Sequence, residues 1–237
     1  MGSTGLVRIN SRGSVGIADN PLSTTTGTIA VESVTGDLHL ENTLGLELGE
    51  TRVPGDLGIT TTTGNITDTG PVTVGGDSTF TTTEPNAGIA LDQTIVTGTI
   101  SLNTSGDDGN ATLTADTATL GQSSVGGALS ATTNGDLTVT GDINAGAIAL
   151  ISQNQNIQAE NSTLDTSSVT GPGGPISLIS NGTVTVNDII TEGTDGGDVN
   201  IQAITSITTG AIDTEGLAGQ GGDVFLDPEN DIEVEFN

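Results

Sequence analysis

Cysteine, tryptophan, tyrosine and lysine are absent from this chain of 237 residues, and it has one histidine, one methionine, three phenylalanines and three arginines. Each shortage narrows the reading. Without cysteine there is no disulfide framework and no thiol nucleophile, a composition neutral to mildly favourable for an exported protein. With so few aromatics, the large side chains that dominate ordinary cores are not available. The three cations, Arg8, Arg12 and Arg52, all lie in the first quarter, against 30 acidic residues and a net charge of −27. Nothing can neutralise a row of phosphates, so nucleic acid and anionic membranes are excluded as partners. The acidity reads as solubility of a long exposed surface. No apolar run approaches the ~20 residues that span a bilayer. The opening "MGSTGLVRIN" has no apolar signal core, so an exported protein would contain this chain as a piece.

What the chain does have is a recurring phrase. It reads VTGDLHL from Val34, VPGDLGI from Val53, VGGDSTF from Val74, VTGTISL from Val96 and VGGALSA from Val125. Shortened ends follow as GPISL from Gly174, GDVNI from Gly197 and GDVFL from Gly222. The third copy places Ser78 where the others are apolar. The starts at Val34, Val53, Val74 and Val96 are nearly evenly spaced, and the longer step to Val125 leaves room for an insertion. Val169, taken as the next start, lies about twice the usual distance further on and is read as two ordinary steps. Gly174, Gly197 and Gly222 then follow at single steps. A period near twenty that drifts slightly marks a solenoid, in which the coil is fixed and the turns vary. Low apolar content, 36 glycines and high charge would also suit disorder, but a disordered tract has no reason to keep such a period.

Within each period, short apolar–polar alternations are separated by Gly, Asn, Asp and Thr, as in Ile176/Leu178 followed by Val184/Val186. That is the strand period with one buried face, and the separators supply turns. No helical stripe is present. Two or three strands per rung of about 20–25 residues predict an all-β, parallel β-helix. Gly and Asp turn the corner, and the next apolar pair enters the lumen. Val184, Val186, Val199 and Ile201 point inward on this register, and Thr is the natural outward residue. A β-sandwich would need closely spaced turns but no such self-similarity from one period to the next. About eleven rungs at ~4.8 Å make a rod of about 50 Å. Residues 1–33 fit the phrase poorly and read as irregular N-terminal rungs. Residues 34–237 read as one elongated repeat segment.

The stretches GNITDTGPVTVGGDSTFTTT, GNATLTADTATLGQSSVGGALSATTNGDLTVTGDI and GGDVNIQAITSITTGAIDTEGLAGQGGDVFLD resemble the repeat region of filamentous-haemagglutinin-like exoproteins, in particular large cyanobacterial ones. The resemblance covers about residues 34–237. It implies a right-handed parallel β-helix, secretion across the outer membrane by a two-partner system, and service at the cell surface as an adhesin or filament. The partners it implies are the outer-membrane transporter of the full-length protein and a surface carbohydrate or protein receptor. The family's N-terminal secretion domain is not visible, so the resemblance implies an internal stalk segment, expected to be monomeric.

The chemistry of the residues points the same way. His39, between Leu38 and Leu40, faces outward without partners for a triad or metal cluster. Asp107/Asp108 and Asp195/Asp198 could in principle pair for glycoside hydrolysis. They sit in Gly-rich turns with no aromatic subsite, and read as turn residues. Asp198 and Asp223, one rung apart, could share a weak calcium ion, but such a site needs six or more oxygens. Threonine runs at 24–26, 61–63 and 81–83 suggest an ice-binding face, yet they are missing from 140–160 and 170–190. No catalytic, cofactor or metal residue is therefore assigned, and a structural or adhesive segment is expected rather than an enzyme. The alternative from another class is a carbohydrate-active β-helix enzyme, which turnover of acidic polysaccharide in calcium buffer would reveal. At the end of the chain, Ile232, Val234 and Phe236 read as inward and Glu233 and Glu235 as outward. The surrounding acids read as charges guarding an open strand edge at neutral pH and low salt.

Overall fold

The computed structural model describes residues 5–32, 35–229 and 234–236. The inward and outward readings made for Ile232 and Glu233 lie outside the described residues, as do the side chains of Val234, Glu235 and Phe236 on which the rest of that reading falls. No α-helix occurs among the described residues, so none is long and apolar enough to cross a membrane. The strands stack in parallel rungs, the arrangement of a β-solenoid. Two compact units divide the chain, residues 1–115 and 116–237.

In the first unit, one column of strands runs Leu22–Thr24, Leu38–Asn42, Leu57–Thr61, Ser78–Thr82 and Ile100–Asn103. The register pairs Leu38 with Leu57, Leu57 with Ser78 and Ser78 with Ile100. These residues stand at the same place in four successive copies of the phrase, so the structure keeps the spacing read from the sequence. A second column begins with Leu6–Asn10 and Thr28–Glu32 and continues through Leu46–Leu48, Ile66–Asp68 and Ile89–Leu91 to Ala111–Leu113. A third, short face stacks Thr51–Val53, Val72–Val74 and Thr94–Val96. Each turn therefore presents up to three strands around a narrow lumen. Alternation decides what enters it: Leu38, Leu40, Leu57, Ile59, Phe80 and Leu102 are all buried.

The second unit repeats the plan. One column runs Ser123–Thr133, Ile143–Ser152, Ile176–Ser180, Val199–Ala203 and Val224–Pro228. Another takes in Leu137–Val139, the first part of Ile157–Asp165, Thr183–Val186, Ser206–Thr209 and Val234–Phe236. Val184, Val186, Val199 and Ile201 are buried, as the alternation predicts.

Two sequence readings need correction. The double-length gap after Val125 does not hold two equal steps. Leu129 pairs with Ile148, and Ile148 with Ile176, so a short step is followed by a long one. The rung in between, Ile148-Ala149-Leu150, lacks the Val-x-Gly start, and Val169, taken as a start, is 96% exposed. Threonine is not simply the outward residue either. Thr61, Thr82, Thr104, Thr133, Thr191 and Thr209 are buried. An inward hydroxyl costs least where it finds an acceptor. Each of these donates to a backbone carbonyl in the turn beside it.

Candidate functional site

The corner that carries the phrase is a chain of hydrogen bonds linking successive rungs. The Asp37 amide donates to the Ser14 hydroxyl at 3.0 Å, and the Asp56 amide to Asp37 Oδ1 at 3.0 Å. The Asp77 amide donates to Asp56 Oδ1 at 2.9 Å, and the Thr99 amide to Asp77 Oδ1 at 2.7 Å, joined by the Thr99 hydroxyl at 3.0 Å. These two donors, the amide foremost, hold the Asp77 carboxyl below the usual aspartate range against a small opposing effect of burial. Its stabilising effect is therefore present above the ordinary aspartate value, and is lost as pH falls through the lowered folded value.

The glycine before Asp56, Asp77 and Thr99 has a matching reason. A Cβ on Gly55 would collide with the Asp37 carboxylate, one on Gly76 with that of Asp56, and one on Gly98 with that of Asp77. At Gly55-Asp56 and Gly76-Asp77 the aspartate of one rung occupies the space that the glycine of the next leaves empty. In the second unit the same bond runs from the Asp223 amide to Asp198 Oδ1 at 2.9 Å, and from the Thr183 amide to Asn156 Oδ1 at 2.9 Å. Asp198 and Asp223 are thus corner residues, and Asp198 already holds a backbone amide on one carboxylate oxygen.

A second device closes the loops, and nothing local in the sequence signals it. The backbone carbonyls of Thr166, Thr191 and Thr214 each accept an N–H from a glycine, and each threonine hydroxyl donates to that glycine's carbonyl. The partners are Gly174, Gly197 and Gly222, with amide distances of 2.9, 2.7 and 3.0 Å and hydroxyl distances of 2.6, 2.7 and 3.0 Å. The clamp ties a loop of varying length at its neck, so the strand that follows starts in register whatever the loop contains.

The remaining candidates are dispersed. His39 is half-buried on the outer face, its imidazole over Gly58, and helps line a hollow of about 320 Å³ with Asp56, Asp77 and Pro21. Arg8 and Arg52 share another hollow, of about 480 Å³, with Glu50, Ile9 and Val31, whereas Arg12 is exposed outside its lining. This second hollow lies where Gly49 and Glu50 together stand opposite Ala30, which shifts the register between Thr28–Glu32 and Leu46–Val53. Asp107 and Asp108 are exposed in a turn, where the Asp108 amide donates to Asn86 Oδ1 at 3.1 Å. Asp195 Oδ1 accepts the Gln220 amide at 3.1 Å. None of these aspartates is joined to a second carboxylate in a catalytic pair among the described contacts.

One acidic group comes together that the sequence did not suggest. Glu192, Asp213 and Glu215 bring carboxylate oxygens within 4.8 Å of one another on the outside of the second unit. A hydrogen bond with Asp213 and then its charge, followed by slight desolvation and the charges of Glu215 and Asp165, push the Glu192 carboxyl up. The arrangement favours a proton on Glu192. Three carboxylates on an open surface fall short of the six to eight oxygens of a built calcium cage. The residues meet because Thr191 and Asp213 adjoin along the stack, the Thr191 amide donating to the Asp213 carbonyl at 2.8 Å. Loops of unequal length hid that neighbourhood from a reading of spacing.

No curated protein and no solved structure matches the chain. Residues 35–103, the stretch that contains the Asp37–Asp56–Asp77 ladder, match the family described as repeats of unknown function (DUF5649).

Proposed function

We propose that the chain is a non-enzymatic structural or adhesive stalk segment of a large secreted exoprotein, holding a binding surface away from the cell. The observation that carries this reading is the use of the polar side chains. Asp37, Asp56 and Asp77 each accept a backbone amide from the following rung, and the Thr–Gly clamps close the loops. A module whose polar groups serve the next copy of itself gains length with every turn added. The filamentous-haemagglutinin resemblance supplies the setting: export through an outer-membrane transporter and contact with a surface carbohydrate or protein receptor. Antibody against this segment, applied to intact cells producing the full-length protein, tests it. The reading expects labelling of unpermeabilised cells, lost on brief protease treatment. Labelling that needs permeabilisation overturns it.

A further inference from the structure

One outward column of the first unit is interrupted. His39, Gly58, Thr79 and Ser101 stand in register on successive rungs, and Gly58 alone has no side chain. The His39 imidazole lies over that gap, its Nδ1 at 2.5 Å from where a Cβ on Gly58 would stand. A glycine inside a strand marks a place where a ligand can approach the backbone closely. Here it lies in the lining of the hollow of about 320 Å³, together with Pro21, His39, Asp56, Asp77 and Thr79. The polar groups of this lining are only partly used. Asp56 and Asp77 each engage Oδ1 in the ladder and leave Oδ2 without a hydrogen bond among the described residues. The His39 imidazole and the Thr79 hydroxyl have no such bond there either. A carboxylate oxygen only accepts, so an occupant of the hollow must donate.

We propose that this hollow binds a neutral hexopyranose unit of a glycan. Adjacent hydroxyls of the ring donate to the free oxygens of Asp56 and Asp77, and a third exchanges a bond with the Thr79 hydroxyl or the imidazole. The less polar C–H face of the ring lies against Pro21 and His39. An apolar wall with a few placed polar groups is the usual make-up of a ligand site, and the volume is at the small end of the range for such sites. Charge excludes sulfated sugars and uronates, which would meet two carboxylates on a chain of net charge −27. A metal ion is not the occupant. Among the described residues the one cluster with ligand atoms close enough to share an ion is Glu192, Asp213 and Glu215, so His39, Asp56 and Asp77 do not converge on one. The inference rests on the stalk reading only for its setting. Binding is measured on the isolated chain and export on intact cells, so either can fail without the other.

Saturation-transfer NMR of the 237-residue chain with the methyl glycosides of glucose, galactose and mannose tests the proposal. A ligand of about a dozen heavy atoms at ordinary efficiency has a Kd of about 1–10 mM. At least one glycoside should show transfer that saturates in this range and persists at high salt, because the ligand is uncharged. Thr79→Val keeps the shape and removes the hydroxyl, and His39→Ala removes the wall. Both side chains face outward, so the fold should persist, and each change should weaken binding about threefold to tenfold. Asp77→Asn keeps an Oδ1 acceptor for Thr99 but loses the free carboxylate oxygen, and should weaken binding about tenfold or more. Asp107→Asn, at an exposed acid outside the hollow, should leave binding unchanged. Transfer to none of the three glycosides overturns the proposal. So does transfer unaltered by both Thr79→Val and His39→Ala, or a loss in Asp107→Asn as large as in Asp77→Asn. Binding of lysine methyl ester but of no glycoside also overturns it, and would assign the hollow to a basic side chain of a protein partner.

Discussion

Ser78 sits at a lumen position, 1% exposed, in register with Leu57 on one side and Ile100 on the other. Its hydroxyl has no hydrogen-bond partner. Further along the same strand, Phe80 is fully buried in register with Ile59 and Leu102. A phenylalanine takes more room than its neighbours in the column, and a serine less. We read the pair as a volume exchange within one rung. Ser78→Ala removes an unsatisfied buried hydroxyl, whose cost is about 1–3 kcal/mol. Allowing for the small loss of packing, a net gain of about 1 kcal/mol is expected, or about 2–4 °C in Tm for a chain of this size. Ser78→Leu restores the column's usual residue type but crowds Phe80, and overpacking costs about 1–3 kcal/mol. Phe80→Leu alone leaves a void and also destabilises. Ser78→Leu with Phe80→Leu should recover most of both losses, a coupling of about 1 kcal/mol or more between residues that share one space. Thermal unfolding followed by circular dichroism measures all four variants. If Ser78→Leu alone is at least as stable as the parent, the lumen has spare room beside Phe80 and the exchange argument fails. If Ser78→Ala is clearly less stable, the hydroxyl contributes a bond and is not unsatisfied.

Register, ladder and acidic cluster each have a variant of their own. Val186→Asp buries a carboxylate at a 2%-exposed lumen position and should be strongly destabilising, whereas Thr185→Asp on the outer face should be nearly silent; equal melting temperatures for the two would refute the inward register. Asp56→Ala removes the acceptor for the Asp77 amide. It should cost about 1–2 kcal/mol, at the low end for a charged bond because water can reach the corner; chemical denaturation that leaves the midpoint unmoved would remove the ladder from the account. Glu192 has its folded pKa raised, so its contribution is most favourable below the ordinary glutamate value and is lost as pH rises through the raised one. Glu192→Gln should therefore raise Tm at pH 7 and lose that advantage below about pH 4, where the parent is protonated anyway; a gain that persists unchanged at low pH would show that charge is not its cause.

The architecture was legible because alternation and the Gly-Asp corner are local signals. Val184 and Val186 are separated by a single residue, and Gly55 and Asp56 are adjacent. The physical reason for Gly-Asp was less accessible, since the carboxylate that needs the space belongs to Asp37, a full rung earlier. Threonine misled for a similar reason. A β-branched polar residue suits an outer face, and nothing next to Thr191 in sequence marks the Gly197 carbonyl as its acceptor across the loop. The Ile148 rung escaped because it enters through Ala145 and Gly146 instead of Val-x-Gly-Asp. Loops of unequal length likewise concealed the meeting of Glu192, Asp213 and Glu215.

The central claim is that residues one period apart stack in a fixed parallel register, and the absence of cysteine makes it directly measurable. Thr60 and Thr81 are register partners on the outer face of adjacent strands, and Glu41 is the partner of Thr60 one rung earlier. Adjacent parallel strands lie about 4.8 Å apart, within the Cα separation a disulfide accepts, while two rungs span about 9.6 Å, beyond it. Mild oxidation of the Thr60→Cys/Thr81→Cys chain should therefore close an intramolecular disulfide close to completion, detected by free-thiol titration and a mobility shift on non-reducing gels. The Glu41→Cys/Thr81→Cys chain should keep both thiols. Failure of the first pair to close, or closure of the second as readily as the first, would contradict the stacked register on which the account rests.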